Sequence, residues 1–309
     1  MCYTGFVRFP TQVWINNHKP IIDEMRDAGI EIDIFFHTWK NDELTKEFNI
    51  FAENENEDTI IKKLYNPKLY KVDDVANYEH LHPKFFGQHI STIQSIELSK
   101  QYEQQNNIKY DFKMKMRSDA VMQDFRIENF LRELKVSSNN FWASEEEKRK
   151  DHLSEFCRVI WAGALYYDFY QGNIGDYFLF STADVMDQWM SVENLQYVID
   201  NYHTDKDIHQ AVNADSQNRV FLFMIKSAFV DDDQFNNPYF YMPFMDRNNI
   251  RIHKTSAFNE FLFRDNMTAD DIKRGNEWAG RRLFTKQIKD ATLQKISKGR
   301  FRNGRDNVF

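Results

Sequence analysis

Apolar residues recur at every second position in Tyr110 to Met122. Phe112, Met114 and Met116 share one face and Lys113 and Lys115 the other, which is the period of a strand. Similar runs lie upstream. Cys2 to Phe9 forms a first strand, with Gly5 and Arg8 standing out in it. Glu31 to Trp39 carries Ile32, Ile34, Phe35 and Phe36 in a nearly unbroken apolar run, as a strand buried on both faces of a parallel sheet requires. Lys68 to Val72 is a third strand, with Asp73 and Asp74 at its end. Between these strands the period becomes helical. Val13, Trp14, Ile21, Ile22 and Met25 make a stripe within Thr11 to Ala28, where Pro20 predicts a break or kink near Lys19 and Gly29 a C-cap. Thr59 to Leu64 is a short helix, and Phe85 to Asn106 a long one stopped by Asn106-Asn107. The order β-α-β-α-β-α-β predicts a doubly wound α/β sheet.

The pattern continues with a helix over Phe125–Leu134, a short strand over Asn139–Ala143 and a charge run from Ser144 to Glu155. In Gly172 to Ser181 a Gly-containing turn leads to Asp176 and a buried strand, and a helix starts at Thr182. Val192 to Asn218 is mostly helical, Val220 to Val230 is apolar, and Arg251 to His253 is a last strand. The simplest partition is one α/β domain over 1–255 and a helical, basic extension over 256–309.

Composition removes several classes of protein. A hydrophobic content of 42% supports a core, and 10 Gly with 6 Pro argue against a turn-rich β-sandwich. A net charge of −7 gives no nucleic-acid footprint. The 2 Cys, Cys2 and Cys157, form no CxxC and exclude a cysteine-based zinc site. No apolar stretch is long enough to span a membrane and no signal-peptide pattern opens the chain, so a cytoplasmic protein is expected. The basic residues from Lys286 to Arg305 suit either peripheral contact with anionic lipid or a frayed terminus.

Candidate chemistry centres on Arg117, Ser118 and Asp119. Ligands of open α/β sheets bind outside the carboxyl ends of strands. There a carboxylate can hold a divalent cation and an Arg can neutralise phosphate; the alternative is a solvated turn closing a hairpin. Arg8 reaches the same crevice or snorkels to solvent. Asp231-Asp232-Asp233 is a metal cluster or, more often for such runs, a solvated loop. No GxGxxG follows the first strand and no GxxxxGK[ST] occurs, which disfavours dinucleotide and P-loop sites.

GFVR on the first strand, IDIFFHTW on the second, YNPKLYKVDD on the third, the helix HISTIQSIELSKQYE, YDFKMKMRSD on the fourth and GDYFLFSTADVMDQW beyond it resemble, in the same order, the WavE-like lipopolysaccharide-synthesis proteins and related bacterial and viral polysaccharide glycosyltransferases. The resemblance covers roughly residues 3 to 190. It implies a GT-A fold, a nucleotide-sugar donor, a glycan or lipid-linked glycan acceptor and a divalent cation, Mn²⁺ or Mg²⁺. On that resemblance RSD stands in place of DxD, with Arg117 where the first Asp would be. Asp119 is then the metal ligand, Arg117 and Ser118 share the phosphate, and Asp176 is the catalytic base. Gly5, Arg8, His37, Thr38 and Trp39 line the nucleotide pocket, with Trp39 offering a stacking face. Asp73 or Asp74 accepts hydrogen bonds from ribose or base. The alternative is a non-catalytic sugar- or partner-binding module of degenerate GT-A fold.

Overall fold

The computed structural model describes residues 1–7, 13–40, 56–74, 83–138, 158–163, 177–201, 217–229 and 248–262. The chain opens with strand β1 (Cys2–Thr4), a π-helical turn (Trp14–His18) running directly into helix α1 (Lys19–Asp27), and strand β2 (Phe35–Lys40). Helix α2 (Glu57–Ile60), a second π-helical turn (Ile61–Tyr65), strand β3 (Leu69–Asp74) and the long helix α3 (Pro83–Asn106) follow. Strands β4 (Phe112–Arg117) and β5 (Ala120–Gln123) flank the Ser118-Asp119 turn, and helix α4 covers Ile127–Ser137. Strands β6 (Arg158–Ala162) and β7 (Phe178–Thr182) precede helices α5 (Ala183–Trp189), α6 (Val192–Asn201) and α7 (Gln217–Phe229). Strands β8 (Ile250–Lys254) and β9 (Asn259–Leu262) come last. All belong to one compact unit, Met1–Leu262.

Seven strands form one mostly parallel sheet in the order β3-β2-β1-β4-β7-β6-β8, and β5 pairs with β9 in a second, two-stranded sheet. Among the described strands of the large sheet, β7 is the one that runs against its neighbours, β4 and β6. The α/β architecture predicted from the alternating pattern is therefore present, with helices on both faces. One apolar layer joins Cys2, Phe35 and Leu179 to Ile90, Ile93 and Ile96 of α3 and to buried residues of α5, α6 and α7. The opposite layer joins Tyr3, Phe36, Met114, Met116, Phe178 and Phe180 to α1, α4 and both π-helical turns. Strands buried on both faces need apolar residues at nearly every position, and FFHTW and FLFST meet that demand.

Several predicted boundaries shift for local reasons. The first strand ends at Thr4, because Gly5 takes φ +89°. The second begins at Phe35 instead of Glu31: Ile34 O accepts from Lys68 N–H, and Asp33 is drawn away by the Met1 ammonium on its carbonyl and the Tyr110 hydroxyl on its carboxylate. Asp73 and Asp74 lie inside the third strand. Pro20 sits in the first turn of α1, and the backbone changes from π-helical to α-helical immediately before it, at His18–Lys19, where a break or kink was expected. Gly29 follows the end of α1 at φ +87°, and Asn66 and Asn107 end their helical segments at φ 44° and 51°. The strand, charge-run and loop assignments at 139–157, 164–176 and 230–247, including Cys157, lie outside the described residues, as do residues 263–309 of the basic extension; residues 256–262, expected to open that helical extension, instead carry β9 within the main unit. Among the described residues no helix is long and apolar enough to cross a membrane.

The larger correction concerns β4. Lys113 and Lys115, read as its polar face, are buried, at 2% and 0% exposure. Lys113 Nζ reaches Glu103 at 2.7 Å and Asp187 at 2.7 Å, which lets a cation stand under α3 and α5. Breaking a buried pair on one side leaves charge uncompensated, at about 3–5 kcal/mol. The two carboxylates here retain 12% and 25% exposure, which softens that cost. Lys113→Met should lower the unfolding free energy by about 2–3 kcal/mol in urea titrations at pH 7; an unchanged midpoint would show that the triad contributes nothing to stability.

Candidate functional site

Strands β1 to β4 are parallel. The chain passes from β1 to β2 and β3 on one side, then returns to lay β4 on the other. Such a reversal of strand order opens a crevice at the carboxyl ends of the two diverging strands. Gly5 lies at the end of β1 and Arg117-Ser118-Asp119 at the end of β4, so the topology brings these two predicted elements together. Ser118 fastens them: its N–H donates to Thr4 O at 3.1 Å and its hydroxyl to Phe6 O at 2.8 Å.

The turn is not solvated. Arg117, Ser118 and Asp119 are 5%, 1% and 1% exposed. Arg117 Nε donates to Asp119 Oδ1 at 3.0 Å and Nη2 to Oδ2 at 3.1 Å, a forked pair closed over two residues. The guanidinium also lies 5.4 Å from the centre of the Tyr177 ring, and Arg117 N–H donates to Tyr177 O. Tyr177 arrives here because β7 runs antiparallel to β4, which puts its first residues at the carboxyl end of that strand.

A second polar chain crosses the ends of β1, β2 and β3. Gly5 N–H donates to Ser91 Oγ at 3.0 Å. Ser91 Oγ lies 2.9 Å from His37 Nδ1, and His37 Nε2 lies 3.1 Å from Asp73 Oδ2. The carboxylate fixes the tautomer, with Nε2–H donating to Asp73 and Nδ1 accepting from the Ser91 hydroxyl. Burial lowers the pKa of His37, outweighing the opposite pull of Asp73, so the ring is neutral. Asp73, with a side chain 12% exposed, also holds Lys71 at 2.8 Å. Its position suits hydrogen bonding to a ligand at the sheet end.

Two other predicted pocket residues are sealed. Thr38 is fully buried. Trp39 is 5% exposed, packs in the apolar layer beneath α3 and donates its indole N–H to Gly87 O at 3.2 Å, so the expected stacking face is turned into the core. Arg8, Asp176 and Asp231 to Asp233 lie outside the described residues.

No group of three His, Cys, Asp or Glu side chains converges among the described residues. Asp119 offers one carboxylate, and both its oxygens already accept from Arg117, whose charge cancels its own. A cleft of about 790 Å³ lies at the opposite, amino ends of the strands, lined by Cys2, Asp33, Phe35, Tyr110, Lys113 and others. Sheets with such a reversal of strand order bind ligands at the carboxyl ends of the strands, where His37, Asp73, Arg117 and Asp119 lie.

His18, Asn17 and Ser91 belong to this end of the molecule, and sequence reasoning overlooked all three. The available signal for the first two was the polar run Asn16-Asn17-His18 interrupting an apolar helical stripe. His18 is fully buried and donates Nε2–H to Ala120 O at 2.7 Å. No protein-family model and no curated protein matches this chain.

Burial lowers the pKa of His18 from its ordinary 6.5 to about 4. The unfolded chain therefore takes up a proton at His18 that the folded chain refuses between those two values. Stability contributed by neutral His18 is complete above pH 6.5 and is lost as pH falls towards 4, by about 3 kcal/mol. Urea midpoints measured at pH 7.5, 6 and 5 should fall steeply in the wild type and less so in His18→Gln; parallel slopes would mean that His18 titrates normally.

Proposed function

We propose that the chain is a GT-A-type glycosyltransferase that moves a sugar from a nucleoside-diphosphate sugar to a glycan acceptor. The supporting observation is the switch point: Gly5 and the Arg117–Asp119 pair meet at the carboxyl ends of β1 and β4, bound together by Ser118. Glycosyl transfer breaks the bond between the anomeric carbon and the diphosphate, and negative charge grows on the departing phosphate. Hydrogen-bond donors held in a fixed direction at that point lower the barrier. Arg117 would contribute them as one end of its ion pair with Asp119. Asp119 holds the guanidinium fork in one orientation, so no reorganisation is needed when the charge develops. Asp73 receives hydrogen bonds from ribose or base, and the chain Gly5–Ser91–His37 holds it in place. Asp176, next to Tyr177 in the sequence, takes the proton of the acceptor hydroxyl.

Thermal unfolding with UDP, GDP, CDP and ADP tests the reading. One of them should raise the apparent stability, by about 2.7 kcal/mol at a hundred times its Kd. The shift should disappear in Arg117→Ala and be the same with EDTA or Mn²⁺. A shift that requires Mn²⁺ would restore Asp119 as a metal ligand, and no shift with any nucleotide would defeat the proposal.

For Asp176→Asn the expected result is a fall in kcat of about 10²–10⁴ with donor affinity kept. An equal loss of affinity would make Asp176 a binding residue. Nucleotide binding without any release of nucleoside diphosphate from its sugar donor would leave a non-catalytic binding module.

A further inference from the structure

The strand that leaves the Arg117–Asp119 turn is held from outside the sheet. Asn17 Nδ2 donates to Met122 O at 2.7 Å, and Asn17 Oδ1 accepts from Met122 N–H at 2.9 Å, so one amide side chain occupies both backbone groups of that residue. Its neighbour His18 donates to Ala120 O. Consecutive residues of a regular helix point roughly 100° apart and do not ordinarily serve one strand. The π-helical turn Trp14–His18 brings both onto β5. Such turns are rare and concentrate at functional sites.

The second π-helical turn ends on Tyr65, whose ring lies 4.9 Å from that of Tyr3 and 4.5 Å from that of Trp14. Tyr3 in turn packs 5.2 Å from His18. The Asp119 charge bears on both His18 and Tyr65. Among the described residues, His18 Nδ1 and the hydroxyls of Tyr3 and Tyr65 are buried without a hydrogen-bond partner. Unsatisfied buried groups weaken a fold, and here they gather on the residues that the first π-helical turn packs together.

We infer that this π-helical turn is a clamp that sets the Arg117 fork, and that Asn17 and His18 are positioning residues for the donor diphosphate. The inference rests on the reading of the crevice as a nucleotide site. By fixing Ala120 and Met122 the clamp fixes the carboxylate of Asp119 that precedes them, and through it the guanidinium. Small displacements of a positioned group can cost about 10²-fold in rate.

The test uses the full chain with three substitutions: Asn17→Ala, at a half-buried site that leaves no core cavity, His18→Ala, and His18→Gln, which retains a donor in place of Nε2–H. Two quantities are read. The side-chain Nε–H resonance of Arg117 in ligand-free protein reports the fork, and the Kd of whichever of UDP, GDP, CDP or ADP stabilises the wild type reports its use. Asn17→Ala and His18→Ala should both speed exchange of the Arg117 Nε–H and weaken nucleotide binding by about tenfold or more, with His18→Gln restoring both. A lowered melting temperature with the resonance and Kd unchanged would overturn the clamp and reduce both residues to structural ones. If the wild type binds no nucleoside diphosphate, the nucleotide reading fails, and the Arg117 resonance alone still decides whether the turn holds the fork.

Discussion

A guanidinium and a carboxylate two residues apart neutralise one another inside a turn that water scarcely reaches. Neither charge could be buried there alone; an uncompensated ion in such a place costs several kcal/mol. Once paired, they allow the turn to sink between β1 and β5. Ser118 then reaches the backbone of Thr4 and Phe6, the Tyr177 ring covers the guanidinium, and β5 departs to join β9 instead of folding back on β4. The turn at the end of the sheet takes its shape from that neutralisation. A pair of this kind adds little net stability, but it has one geometry, and that geometry fixes the turn.

Much of the fold was legible because its signals are local. The period of two in Phe112 to Met116, the apolar run through Phe35 and Phe36, and the long helix ending at Asn106 each depend on residues within a few positions of one another. Positive-φ stops at Gly29 and Asn66 likewise follow from backbone sterics. What periodicity could not give was which face of a strand is wet. Lys113 and Lys115 occupy their predicted face of β4, yet that face is covered by helices, and their burial depends on carboxylates and rings supplied from α3, α5 and α7.

For the site, the sequence showed which chemical groups reach the end of the sheet but not how they are connected. Gly5, His37, Asp73 and Arg117 through Asp119 do gather there, since parallel strands must present their carboxyl ends together. Thr38 and Trp39, adjacent to His37 on β2, alternate into dry layers, and no local rule distinguished them from their neighbour. Ser91, Asn17 and His18 went unnoticed because their partners stand 86, 105 and 102 residues away in the chain. A serine or histidine on an apolar helix looks like any other until the strand it serves is in place.

The position of β4 also bears on how the chain assembles. The strands β3-β2-β1-β4 are complete once residue 117 has been made, whereas the far edge of β4 is met only by β7, which starts at Phe178. Until then β4 is the outer strand of a partial sheet, open to pairing with another molecule. Charged side chains on an edge strand oppose such pairing, and lysine does so well. Lys113 and Lys115 are therefore gatekeepers of a nascent edge before they become buried cations. Asp187, which neutralises Lys113, comes with the same segment that closes that edge.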